Sequence, residues 1–124
     1  MKIGIASNDQ NSIAEHFGRT KGFVIVELEN GQELSRTFRE NKFSVHSQPG
    51  SHEHAEHGHS HTAILEALAD CELVMARGMG RRIYDDLRSA KIESYITSQS
   101  QVDEAIQAYI RGNLDDNPDK GCVH

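Results

Sequence analysis

The chain reads as an α/β domain built on a single mixed five-stranded sheet with helices packed on it, in the order β-β-β-α-β-α-β-α. Three observations carry this expectation. Short apolar runs rich in β-branched residues alternate with segments of helical spacing, an Asn30-Gly31 dipeptide joins two early strand-like runs, and from Leu73 onward strand and helix alternate twice.

Each element follows from local chemistry. Lys2 to Ala6 has the character of a short buried strand, and Phe23 to Leu28 is a second, rich in β-branched and aromatic residues. Asn30-Gly31 suits a two-residue hairpin turn, because both central positions tolerate positive φ, so the second and third strands are antiparallel neighbours. The third, about Glu33 to Arg39, is mostly polar with Leu34 and Phe38 on one face, as an edge strand is. Thr62 is placed to cap a helix that turns Ile64, Leu65, Leu68 and Ala69 to one side. Leu73 to Ala76 is a buried strand, a helix from about Gly80 to Ala90 presents Ile83, Leu87 and Ala90, and Ile92 to Ile96 is the fifth strand. Ser100 and Asp103 resemble a capping box ahead of Val102, Ala105, Ile106 and Tyr109, and Gly112 ends that last helix. Residues 1–112 thus form a single domain carrying a His-rich loop at 44–61, followed by a loose tail at 113–124.

Composition narrows the function classes. A chain of 124 residues buries a proper core without disulfides. Thirteen basic against nineteen acidic residues give a net charge of −6, the wrong sign for a protein that neutralises nucleic-acid phosphates. No apolar run is long enough to span a bilayer, and the N-terminus enters a strand-like run where a secretory segment would be apolar; a soluble, cytoplasmic protein without a membrane partner is expected. Two cysteines, Cys71 and Cys122, make no disulfide framework and cannot supply four thiolates to an iron–sulfur cluster. Zinc-protease chemistry fails because Glu56 stands where His52-Glu53 would need a second histidine, and no nucleophile elbow is present. No catalytic set is visible, so the chain reads as a non-enzyme.

With the first strand pointing up, the loops at 7–22, 40–61, 77–80 and 97–100 share one end of the sheet. Ligands of open α/β sheets sit at that end near a topological switch point, here between strands one and four. Three constellations gather there. A sixteen-residue first connection contains Glu15-His16-Phe17-Gly18-Arg19, in which His16 is either a metal or cluster ligand or a turn cap, while Phe17 belongs to the core. Arg77-Gly78-Met79-Gly80-Arg81-Arg82 opens a helix, where glycines allow close backbone approach and N–H groups make an anion site. It is not the dinucleotide fingerprint, because Ile83 stands where a third glycine is required. Cations at a helix N-terminus oppose the macrodipole by about 0.3 to 1 kcal/mol each, so an anionic ligand or a carboxylate is expected to offset them. The third is Ser51 to His61, where His52, His54, His57, His59 and His61 offer imidazoles suited to Zn or Ni, with Cys122 or His124 available to complete a tetrahedral set.

Four stretches together carry a family resemblance: KIGIASND at the first strand, HFGRTKGFVIVELENG through the second, DCELVMARGMG at the fourth, and SQVDEAIQAYIRGNL in the last helix. From Lys2 to about Leu114 the chain resembles the dinitrogenase iron–molybdenum cofactor biosynthesis family, small proteins related to nitrogenase cofactor carriers and accessory proteins. The resemblance implies a ribonuclease H-like fold that binds an iron–sulfur or iron–molybdenum-type cluster without transforming it. Such clusters are commonly anionic, so Gly18, Arg19, Arg77, Arg81, Arg82 and the Gly78, Met79 and Gly80 amides become expected cofactor-binding groups, with His16 as direct ligand. Cys71, just before strand four at the far end of the sheet, reads as buried structure. The expected role is a non-catalytic carrier or chaperone delivering its cluster to a client or cluster-assembly protein; the alternative is a divalent-metal (Zn or Ni) binding or sensing protein using the His-rich loop. That loop is not required by the family's core pattern. As a lone domain the chain does not imply participation in nitrogen fixation.

Overall fold

Asn30 and Gly31 adopt φ of 55° and 77°, and the hairpin that they close is the start of the sheet. The structure, a computed structural model, describes residues 1–41 and 64–117. In chain order these form β1 (Lys2–Ser7), β2 (Gly22–Glu29), β3 (Gln32–Glu40), a helical stretch α1 described over residues 64–67, β4 (Leu73–Ala76), α2 (Arg81–Ser89), β5 (Glu93–Ile96) and α3 (Val102–Arg111). One sheet results, ordered β3-β2-β1-β4-β5. β1 runs antiparallel to β2 and parallel to β4, and β5 is parallel to β4, so the sheet is mixed as the sequence predicts.

Being central, β1 is apolar on both faces. Ile3 and Ile5 face α3, packing with Val24, Val26, Leu73, Met75, Val102 and Ile106. Ala6 faces the other way, into a core shared with Phe23, Val74, Leu68 of the α1 region and Ile83 and Leu87 of α2. Helices therefore cover both faces of the sheet. Gly4 lets Leu68, just after α1, come close to the sheet, since a Cβ there would lie 3.2 Å from Leu68 Cδ2.

Several expectations are corrected. Leu34 does not share an inward face with Phe38: it is 55% exposed, while Phe38 packs against the core. Ser35 pairs with Glu27 and Glu33 with Leu28, which leaves Leu34 as the extra residue of a β-bulge, out of step with the strand's alternation. The capping box at Ser100 does not form. Gln101 is the N-cap without a side-chain bond, the Asp103 carboxylate instead meets Arg36 at 2.8 Å, and the Val102 N–H is satisfied by the Asn11 carbonyl. Gly112 does end the helix in the left-handed conformation, φ 79°. Thr62 lies outside the described residues.

Residues 113–117, expected to be the start of a loose tail, instead lie against the end of β5. The Ile96 N–H donates to Asp116 Oδ1 at 2.9 Å and the Asn117 N–H to the Ile96 carbonyl at 2.7 Å. Asp115 accepts from the Thr97 hydroxyl at 2.5 Å and from the Ser98 N–H and hydroxyl at 3.0 and 2.7 Å. Among the described residues no helix is long and apolar enough to cross a membrane.

Candidate functional site

β1, β4 and β5 end together, and the chain between β1 and β2 returns across all three ends. Its turn is organised by Ser7 and Asp9. The Ser7 hydroxyl donates to the Ser12 carbonyl at 2.6 Å and accepts the Gln10 N–H at 2.8 Å, which holds Gln10 at φ 70°. The Asp9 carboxylate accepts the Ser12 and Asn11 N–H groups at 2.8 and 2.9 Å and the Ser12 hydroxyl at 3.0 Å. Those bonds favour its charged form and hold its pKa down to about 2.

Beyond this turn the backbone is joined to three other segments. The Ile13 N–H donates to the Ser100 carbonyl at 2.9 Å, Ala14 N–H to Ala6 at 2.8 Å, Arg77 N–H to Ala14 at 3.0 Å, and Phe17 N–H to Gly78 at 3.0 Å. The main chain of residues 13–17 therefore bridges the switch point between β1 and β4, where the sequence places a ligand crevice. Phe17 anchors it: the ring is fully buried and packs 5.3 Å from Phe23. The loop's far end is fixed by Thr20, whose hydroxyl lies 2.9 Å from both the Ser7 and Gly22 carbonyls, and by Asn41, whose amide donates to the Thr20 carbonyl at 3.1 Å.

This bridge brings the two conspicuous motifs together. His16 is exposed at the start of a 3-10 turn, Phe17–Arg19, and its carbonyl accepts the Arg19 N–H at 3.2 Å. Gly18 occupies the middle of that turn, and Arg19 is exposed. Arg77 is also exposed, 3.5 Å from the well-exposed Glu15, a pair that solvent screens to little consequence. Gly78 is buried and receives the Phe17 N–H. The Met79 side chain, 1% exposed, belongs to the core, so its main chain is what the site can use.

Gly80 is the N-cap of α2 at φ −65°, a conformation open to any residue, and a Cβ there would meet nothing within 4 Å. The glycine thus answers neither a backbone requirement nor crowding within the chain; it leaves open space before the helix N-terminus. Arg81 and Arg82 are exposed in that first turn, and among the described residues neither forms an ion pair. No three His, Cys, Asp or Glu side chains converge as metal ligands among the described residues. His52, His54, His57, His59 and His61 lie outside them. Cys71 is 4% exposed and buried in the core, where burial first and Asp70 second push its thiol up to about 12, leaving it protonated and inert.

Sequence reasoning found the motifs but missed what joins them. Ala14 offers only main-chain groups, and no pattern of side chains announces it. Ser7, Asp9 and Ser12 did leave a signal, a polar turn-forming run whose side chains bond to nearby backbone.

The uncharacterized protein MJ0580 of Methanocaldococcus jannaschii is 28% identical over 116 residues, covering 93% of this chain and 90% of its own. Among solved structures, PH0822 superposes with a TM-score of 0.72 at 24% identity, covering 96% of each chain. The apo form of the orange protein from Desulfovibrio gigas does so with a TM-score of 0.71 at 18% identity, covering 94% of this chain and 92% of the other. At those identities the likeness is one of fold. A family model described as dinitrogenase iron-molybdenum cofactor matches residues 1–112, which takes in the whole sheet and both motifs at its carboxyl end. By that match the chain belongs to the dinitrogenase iron–molybdenum cofactor family.

Proposed function

We propose that this protein is a non-catalytic carrier that holds an anionic metal–sulfur cluster, of iron–sulfur or iron–molybdenum type, at the carboxyl end of its sheet and delivers it to a client protein. The observation that supports this reading best is the hydrogen-bonded junction of residues 13–17 with residues 77–78, which joins the main chain of the segment carrying His16 to that of the segment leading from Arg77 into α2. Arginines are the cations suited to such cargo, because a planar guanidinium donates to sulfide or oxo groups in a fixed fork. At Gly80 the helix adds N–H donors and the positive end of its dipole, and Arg81 and Arg82 supply charge without a competing carboxylate among the described residues. His16 offers one imidazole as a direct ligand. A grip made of charge, amides and a single side-chain ligand suits a carrier, since it releases cargo more readily than a closed set of thiolates does.

The test is the metal and acid-labile sulfide content of untagged protein purified anaerobically from its native host. Iron, molybdenum or both in stoichiometric company with sulfide is the expected result. His16→Ala is expected to lose the cluster, and retention equal to that of the parent chain removes His16 from the role. Protein free of sulfide under these conditions removes the carrier reading itself.

A further inference from the structure

At the opposite edge from the hairpin, β5 is the last strand of the sheet among the described residues. Glu93 and Thr97 turn their N–H groups inward, to the Glu72 and Ala76 carbonyls at 3.1 and 2.9 Å. By the alternation of a parallel ladder, Ile92, Ser94 and Ile96 turn theirs outward. Two of these positions are engaged. The Ile92 N–H donates to the Leu87 carbonyl at 2.9 Å, and residues 116 and 117 bond both the N–H and the carbonyl of Ile96. Ser94 is left with a donor and an acceptor facing out and, among the described residues, unpaired. Its side chain repeats the deficit: the residue is 9% exposed, and Oγ is buried without a hydrogen-bond partner.

A cleft of about 530 Å³ lies over this position. One wall is Tyr84 and Arg88 of α2 with Lys91; the other is Tyr95 and Asp116. Both aromatic walls are held in place, Tyr84 under the Arg88 guanidinium at 5.8 Å and Tyr95 edge-on to Tyr109 at 6.0 Å. We infer that this edge takes one short extended segment of another protein as an added strand, with an acidic side chain of that segment set against Arg88 and Lys91.

The register selects the chemistry. A residue directly opposite Ser94 puts its side chain on Ser94's face of the sheet, the face shared with Ile92, Ile96 and α2. There it meets Arg88 and Lys91, neither of which has an ion-pair partner among the described residues. Its two neighbours point to the other face, toward Glu93, Tyr95 and Asp116, so a basic residue fits beside the acidic one. Main-chain bonds supply attachment, and the two charged walls supply selection. A second copy of this chain does not fit: antiparallel pairing about Ser94 would set Ile92 of one copy against Ile96 of the other, where residues 116 and 117 already lie. The cleft shares no residue with the proposed cluster site, so the inference stands apart from the carrier reading.

The probe is an amidated pentapeptide with a free amino terminus, Lys-Glu-Lys-Thr-Val, which in antiparallel register with its glutamate opposite Ser94 begins opposite Tyr95 and stops short of Ile96 and of residues 116 and 117; it is titrated into the 15N-labelled full chain and followed by NMR. Binding is expected to move the Ser94 amide signal and slow its hydrogen exchange. Methylating the glutamate's backbone nitrogen is expected to abolish binding, and Arg88→Glu to weaken it by about tenfold, with affinity restored by a peptide carrying lysine in place of the glutamate. Undiminished binding of the N-methylated peptide overturns strand addition. So does an unmoved Ser94 signal at millimolar peptide, or a concentration-dependent Ser94 shift without peptide, which would assign the edge to a second copy.

Discussion

Single carboxylates hold this molecule together at points far apart in sequence. Asp70 is held near pH 2, chiefly by the hydrogen bond from Arg39 and then by Lys2, in a cluster where Arg39 also bonds the Ala67 carbonyl. A carboxylate depressed from 3.8 to about 2 adds stability that is fully present above the unfolded value and disappears as pH falls from about 4 to 2. Because these groups are partly exposed, solvent screening limits the effect, and Asp70→Asn is expected to cost about 1 kcal/mol at neutral pH and to flatten the acid limb of the stability profile over that range. Urea denaturation at pH 7, 4 and 2.5 checks it: an unchanged slope between pH 4 and 2.5 argues against Asp70 as its source. Residue identities were the most legible layer of the sequence. Phe17 as core follows from its side-chain chemistry and Cys71 as buried structure from its position just before β4, and both side chains are buried. Leu34 was misplaced because the bulge that displaces it depends on its partner strand, which no single-strand pattern encodes.

Strands and helices were legible where their period is long enough to register. β4 falls where its apolar run predicts, and α3 ends at its glycine. Ends defined by tertiary partners were not legible: α3 begins at Val102, whose N–H donates to the Asn11 carbonyl, and residues 113–117 lie against β5 because it offers an open end. The Asp115 contact is a strong local example. Burial alone would raise its pKa, yet bonds from Thr97, Ser98 and Asn117 outweigh that and hold it well below the usual carboxylate range. Asp115→Ala leaves several donors without their acceptor, and a loss of about 1 to 3 kcal/mol is expected, together with faster hydrogen exchange at Ser98 and Ile96. Exchange unchanged at both amides would mean that the segment is held by Asp116 and Asn117 alone.

Across the whole molecule, fold class and strand neighbours were readable because the hairpin signal and the strand–helix alternation leave few topologies open. The candidate site was readable as two motifs and unreadable as one place, since main-chain bonds through Ala14 and Gly78 make the junction. The His-rich stretch is separable from that junction in sequence, and deleting residues 51–61 is expected to remove Zn or Ni binding while leaving cluster retention largely intact, measured by metal and sulfide analysis of the same preparation. Loss of both together would join the histidines to the cluster site. The bridge of residues 13–17 has a mechanical meaning as well. It fastens β1 to β4 and to the segment after β5 through a few hydrogen bonds, while β1 and β2 remain paired along their full length without it. The open end of the sheet can therefore loosen while its body stays folded, and an anion held across that bridge would brace it. On the carrier reading proposed above, cargo would then be felt as rigidity at one end of the molecule, and the laden and empty states would differ to a client in stiffness while sharing one shape.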